Sequence, residues 1–195
     1  MIDHAPFRLA MLLGAAVVLP IAASYRIRAH RGGEKLDRGK EGLFILLTLR
    51  PFALVAATAM ISYLINPASM EWAHVPLPAW ARWGGVLLAS VGGALLIWTF
   101  HTLGPNLTDT VVTRRVHTLV TAGPYHWVRH PLYTSTALAV VGNALTAANW
   151  FLLASGAMVF AMMVIRTKKE EAFLIARFGD AYREYMARTG RFLPR

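Results

Sequence analysis

Two short stretches hold most of the side chains in this chain that could act chemically on a bound ligand. The first runs His117-Thr-Leu-Val-Thr-Ala-Gly-Pro-Tyr-His-Trp-Val-Arg-His-Pro-Leu-Tyr133. It contains three of the seven histidines (His117, His126 and His130) together with Tyr125, Trp127, Arg129 and Tyr133. Two X-Pro steps, Gly123-Pro124 and His130-Pro131, stiffen it, because proline fixes its own φ and turns the residue before it away from the helical region. The second stretch is Arg166-Thr-Lys-Lys-Glu170-Glu171. Arg166 and Glu170 are four residues apart and share one face of a helix. A guanidinium can grip a carboxylate with two parallel bonds, and a carboxylate can hold a cationic group. A stiff polar loop beside long apolar segments suits a ligand that is partly polar and partly greasy. Both stretches also have a plainer reading. Tyr, Trp and Arg anchor proteins at the lipid interface, and an i,i+4 ion pair is ordinary helix chemistry.

Other chemistries are excluded or unsupported. The chain has no cysteine, so disulfides and thiolate metal sites are ruled out. The histidines nowhere show the HExxH spacing. His126 and His130 are four apart but lack an acidic neighbour, and Pro131 follows, so no metal is expected. No glycine-rich loop has the dinucleotide or Walker pattern. The formal charge of +10 does not point to nucleic acid, because the basic residues lie in the loops between apolar spans, as the positive-inside rule describes. Asn106-Leu-Thr matches a glycosylation sequon, but it falls on the side predicted to be cytoplasmic.

The elements that must position these residues are membrane spans. The chain is 56% hydrophobic and only 15% charged. A span needs roughly 20 mostly apolar residues. Pro6–Tyr25 supplies one, with Pro20 inside it, and Tyr25–Glu41 follows as a charged loop. Leu43–Ile65 supplies a second and contains Arg50-Pro51. Trp80–Leu103 supplies a third, with Gly84, Gly85, Gly92 and Gly93 spaced to let helices approach closely. Leu132–Ile165 is too long for one span and predicts a helical hairpin turning near Ala147–Trp150. Beyond Arg166 the pattern is that of a polar helix interrupted near Gly179, with Phe173, Phe178, Tyr182 and Tyr185 on one side. The expected fold is therefore an all-α integral membrane protein of about five transmembrane helices. Residues 1–103 form three amino-terminal spans, and residues 104–195 carry the chemistry. If every span crosses, one side holds 17 of the 20 Lys and Arg. That rule puts the amino terminus outside and places both chemical stretches on the cytoplasmic face of an inner or plasma membrane.

Taken together, His117-Thr-Leu-Val-Thr-x-Gly-Pro-Tyr-x-x-Val-Arg-His-Pro-Leu-Tyr133, Arg166-x-x-x-Glu170-Glu171, Phe178-Gly-Asp-x-Tyr182-x-x-Tyr185 and the closing Leu193-Pro194 resemble the isoprenylcysteine carboxyl methyltransferases. These are integral-membrane enzymes that use S-adenosyl-L-methionine. The resemblance covers His101 to Arg195. It implies that His117, Thr118, Leu119, Val120, Tyr125, His130, Pro131, Leu132, Tyr133 and Glu170 bind the cofactor, through a cytoplasmic cofactor-binding loop and carboxyl-terminal helix. It implies that Arg166 faces the acceptor carboxylate and forms the catalytic pair with Glu170. The acceptor would be a prenylated cysteine or a similar lipophilic molecule, entering from membrane lipid, with no metal and no nucleic acid. Eukaryotic members carry a Gln where this chain has Thr110, so that contact has no counterpart here. Arg50 is a further acceptor-binding candidate as an intramembrane charge, and it equally fits a structural partner of a helix end. Phospholipid or amine N-methyltransferases share much of the pattern, and sterol-type membrane reductases look similar in their carboxyl-terminal regions. A carboxylate-facing Arg166 favours O-methylation over N-methylation. The oligomeric state is left open.

Overall fold

The computed structural model describes residues 4–31, 43–104 and 118–195. Among the described residues six α-helices follow one another: α1 (Ala5–Arg31), α2 (Leu43–Ile65), α3 (Ala79–Leu103), α4 (Pro131–Ala147), α5 (Trp150–Phe178) and α6 (Asp180–Arg188). Among the described residues there is no β-strand, only two isolated bridges, His74 with Asn149 and Val128 with Gly190. Among the described residues, four helices (α1, α2, α3 and α5) are long and apolar enough to cross a membrane. The fifth member of the bundle, α4, has 17 residues. At about 1.5 Å rise per residue it is roughly 25 Å long, a little short of the hydrocarbon thickness. The protein is an all-helical, multi-pass membrane protein.

One boundary differs from the sequence expectation. Helix α1 does not stop at Tyr25 but continues through Arg31, so the first part of the expected charged loop is helical. No residue between Tyr25 and Arg31 breaks a helix. The helix expected beyond Arg166 is the continuation of α5, whose 29 residues form one rod of roughly 43 Å. The break falls at Gly179, whose φ of +57° lies in the left-handed region that glycine adopts without strain. The hairpin turns at Ala148-Asn149, within the expected window. Asn149 caps α5 by accepting from Leu152 N at 3.0 Å, and its Nδ2 donates to Met70 O at 3.0 Å.

Helices α3 and α4 form the most extensive pair in the bundle. Their seam is made of small residues. A Cβ added at Gly85 would lie 2.6 Å from Thr146 N, and one at Gly92 would lie 3.0 Å from Ala139 N. One at Gly142 would meet the backbone of Ala89. Such close backbone contact supplies van der Waals attraction where lipid offers no hydrophobic drive between helices. The seam fixes the start of α4, and with it the loop that leads into it.

Candidate active site

The loop from Thr118 to His130 reaches α4 through a short 3-10 turn at Gly123–His126. Gly123 has a φ of +57°, and a Cβ there would meet Thr102 Oγ1 at 2.6 Å, so the turn presses against the end of α3. The loop is then pinned to the carboxyl-terminal segment. Arg129 N donates to Gly190 O at 2.8 Å and His130 N to Arg191 O at 3.0 Å, the pairing of a short parallel bridge. Tyr185 Oη donates to Tyr125 O at 2.6 Å, and Thr134 Oγ1 to Phe192 O at 2.8 Å. Loop, α6 and tail therefore form one body on the end of α5.

Where these pieces meet, two adjacent carboxylates take different partners. Successive helical residues point about 100° apart, so Glu170 and Glu171 project to different sides and share only a neighbour that lies between them. Glu171 is buried and accepts from Arg129 Nε at 3.1 Å, His130 Nε2 at 3.2 Å and Arg191 Nε at 3.2 Å, with a second bond from Arg191 Nη2. Held by two guanidiniums, this carboxylate is an acceptor, so His130 offers it the Nε2 proton. Arg129 also donates through Nη1 to Met186 O at 3.0 Å and to Thr189 O. Glu170 is half-buried. It accepts from Tyr133 Oη at 2.8 Å, lies 2.9 Å from Arg166 Nε, and has its other oxygen 3.7 Å from His130 Nδ1. The imidazole thus sits between the two carboxylates. The Phe192 ring covers it, with centroids 5.8 Å from His130 and 6.0 Å from Tyr133. Three guanidiniums surround two carboxylates, which leaves the cluster one positive charge in surplus.

Nearby phenols are kept neutral. Burial pushes the Tyr185 hydroxyl up to about 12, against the opposing pull of Arg129 and Arg188. Burial first, then the charge of Glu171, raises Tyr182. Burial, Tyr185 and Glu170 together raise Tyr125. A neutral phenol donates rather than acting as a base, as Tyr185 does in its bond to Tyr125 O.

Of the residues singled out from sequence, the structure brings Arg166, Glu170, His130 and Tyr133 into one cluster. Pro131 is buried at the first turn of α4, and Leu132 packs with the cluster around Phe100. Leu119, Val120 and Tyr125 are half-buried, and Thr118 is exposed. His117 and Thr110 lie outside the described residues. Arg50 is exposed on α2, and among the described residues no hydrogen bond or ion pair joins it to the cluster. Sequence reasoning did not single out the roles of Glu171, Arg129, Arg191 and Phe192. The one available signal was the Glu170-Glu171 doublet, since a helix cannot turn both toward Arg166.

Residues 85–176 match the family model described as the isoprenylcysteine carboxyl methyltransferase (ICMT) family. Over these residues the chain is similar to that family. The ICMT match takes in most of α3, all of α4 and α5 as far as the Arg166–Glu171 cluster. Human protein-S-isoprenylcysteine O-methyltransferase is 29% identical over 154 residues, covering 77% of this chain and 54% of its own length. The cobalt-zinc-cadmium resistance protein CzcN of Cupriavidus metallidurans is 34% identical over 126 residues, covering 59% of this chain and 55% of its own. A solved structure titled as the eukaryotic intramembrane Ras methyltransferase ICMT superposes with a TM-score of 0.55 at 25% identity, covering 74% of this chain and 52% of that one. The chain spans about half the length of the curated relatives it matches. Among the described residues, no group of three His, Asp or Glu side chains could hold a metal ion.

The ICMT-like region also borders a lipid-depth cavity of ≈ 570 Å³. All five long helices line it, through residues that include Val18, Met60, Gly92, Thr136, Asn143 and Gly156. Its size is that of a small-ligand pocket. Thr136 stands three residues after Tyr133 on the same face of α4, so the cavity begins one helical turn from the Glu170 cluster.

Proposed function

We propose that this protein is an integral-membrane methyltransferase that transfers a methyl group from S-adenosyl-L-methionine to the carboxylate of a prenylated cysteine or a similar lipophilic acceptor. The observation that carries this reading is the Arg166–Glu170 pair, held by Tyr133 with His130 alongside, at the polar end of α5 and one turn from an apolar cavity. The residues fit the cofactor. Glu170 is a half-buried carboxylate with one oxygen beyond hydrogen-bond reach of its neighbour, so it can accept from an amino or ribose group. When bound, the cofactor supplies a sulfonium methyl that is already activated.

The residues of this chain then have positioning tasks. A carboxylate acceptor is a nucleophile at neutral pH, so no general base is required. Arg166 orients it and gives up part of that attraction as the attacking oxygen loses charge. Glu170, Tyr133 and His130, with Thr118, Leu119, Val120, Tyr125, Pro131 and Leu132, hold the cofactor, and His117 adds to them. Burial under Phe192 and the loop excludes water, which leaves alignment as the main contribution to rate. The acceptor's hydrocarbon tail lies in the cavity between the helices. Arg50, exposed near the start of α2, meets acceptors arriving from the lipid. The basic side of the protein, with this site, faces the cytoplasm.

The test pairs a methyl-transfer assay on a farnesylated cysteine analogue with calorimetry of S-adenosyl-L-methionine. Arg166→Ala should lower transfer by a factor of about 100 or more while cofactor affinity stays within about threefold. Arg166→Lys keeps the charge but loses the planar fork and should rescue only in part. Equal loss of both quantities would make Arg166 a structural or cofactor residue. Transfer to amines by the Ala variant, with none to any carboxylate by the parent, would mark an N-methyltransferase.

A further inference from the structure

We infer that a second pocket, separate from the Glu170 cluster, binds the phosphate of an anionic phospholipid at headgroup depth. This pocket, of ≈ 380 Å³, lies between the loop and the far end of α6 and the tail. Its walls include Thr121, His126, Trp127, Arg188 and Arg195. Tyr185 and Thr189 form its back. The same two residues hold the loop from the other side, through the Tyr185–Tyr125 and Arg129–Thr189 bonds. The pocket is thus divided from the clustered carboxylates by a hydrogen-bonded wall.

Charge decides what it takes. No Asp or Glu lines it, whereas two arginines and a histidine do. Among the described residues, no ion pair joins Arg188 to a carboxylate. Arg195 Nη1 donates to Ala187 O at 2.7 Å, which fixes that guanidinium at the rim with other N–H groups to offer. Two guanidiniums on one concave surface suit a phosphate, whose oxygens each accept parallel N–H bonds.

Depth decides where the phosphate comes from. Trp127 is 50% exposed, and its ring stacks edge-on against Trp98 at 5.4 Å. Trp98 is itself 43% exposed, on the outer surface of α3 and five residues before that helix ends at Leu103. A pair of exposed tryptophans at the end of a span marks the headgroup layer. The basic pocket opens beside them, so a lipid whose acyl chains run down α3 past Trp98 brings its phosphate to Arg188 and Arg195. A soluble phosphate compound would make no use of the two indoles.

The experiment uses the whole chain reconstituted in phosphatidylcholine nanodiscs containing a minority of phosphatidylglycerol. Mass spectrometry reads the phosphatidylglycerol enrichment retained by the protein. The parent should enrich this lipid, and Arg188→Gln and Arg195→Gln should each reduce the enrichment by roughly fivefold, the worth of one basic residue near a membrane surface. Trp127→Leu should also reduce it, without any change of charge. Arg183→Gln is the control, because Arg183 is equally basic and exposed on α6 but is paired with Asp180 at 2.7 Å outside the pocket. Its enrichment should equal the parent's. Equal losses in the Arg183 and Arg188 variants would reduce the effect to general surface charge and overturn the site. So would unchanged enrichment in the Arg188 and Arg195 variants. Displacement of the lipid by inorganic phosphate at matched ionic strength would assign the pocket to a soluble ligand instead.

Discussion

Replacing Glu171 by Ala should loosen the carboxyl-terminal segment far more than it loosens the helical bundle. The side chain of Glu171 is 5% exposed and that of Arg129 10%, while Arg191 is 38% exposed. Without the carboxylate, Arg191 can turn to water at little cost. Arg129 cannot, because its Nη1 remains bonded to Met186 O and Thr189 O, so it becomes a buried charge without a counter-ion. Removing one partner from a buried pair costs about 3–5 kcal/mol, and the escape of Arg191 puts this case near the lower end. His130 loses its Nε2 acceptor in the same step. The elements that separate are the ones Glu171 joins: the loop at Arg129-His130, and the tail at Gly190–Phe192 with α6. The α3–α4 seam does not touch Glu171. Hydrogen exchange read by mass spectrometry should show residues 180–192 opening about 100-fold more often, with α3 and α4 unchanged, because 1.36 kcal/mol is a factor of ten. Gln at this position keeps an acceptor but loses the charge, so its cost should be about 1.5–3 kcal/mol. Parent-like protection of residues 180–192 in the Ala variant would refute the reasoning. Uniform loss that includes the α3–α4 seam would refute it as well.

Gly142→Val should separate α3 from α4, since the added atoms meet the Ala89 backbone and Gly85 O at 2.8 Å, neither of which can move aside, whereas Gly84→Ala faces open space and should be neutral or stabilise by about 0.5–1 kcal/mol. Thermal unfolding in detergent, read for both variants, checks the contrast. Alkaline pH should undock α6. Burial raises the Tyr185 hydroxyl from 10.0 to about 12 in the folded protein, so the stability it supports is intact below pH 10 and falls as pH rises toward 12, where the unfolded chain has already lost the proton. Tyr125 and Tyr182 shift in the same direction, so Tyr185→Phe should make the fall shallower without abolishing it, as followed by proteolysis of the tail across that range.

The helices were legible because lipid demands long apolar runs, and the second span, Leu43–Ile65, matched to the residue. The hairpin turn was legible for a related reason: Asn149 is the polar residue that can cap α5 in the middle of an apolar stretch. Helix ends beyond the hydrocarbon were less legible. At Tyr25–Arg31 the chain turns polar while its helical propensity persists, and composition alone does not separate a charged loop from a charged helix leaving the membrane. At the site, the Arg166–Glu170 pair followed from i,i+4 geometry and stands at 2.9 Å. The Glu171 clamp depends on Arg129 and Arg191, which are 62 residues apart in the sequence. Their meeting comes from the return of the tail past the loop, and no local pattern encodes that return.

That return explains why the two glutamates divide their work. Glu171 is fully engaged: two guanidiniums and an imidazole fill its acceptor positions, and it is buried beneath them. A carboxylate so engaged has nothing left for a ligand. Its effect is to hold the loop, the imidazole of His130 and the tail in one orientation. Glu170, about 100° round the helix, keeps partial exposure and an oxygen 3.7 Å from the nearest ring nitrogen. Under the proposed function, Glu170 and Arg166 meet ligands, while Glu171 keeps Tyr133 and His130 where Glu170 can use them. The surplus positive charge follows from the same division. Arg129 and Arg191 are spent on Glu171, while Arg166 pairs with Glu170, the carboxylate that also accepts from Tyr133. An enzyme for amine acceptors would gain nothing from that surplus, and the carboxylate-facing reading of Arg166 accounts for it directly.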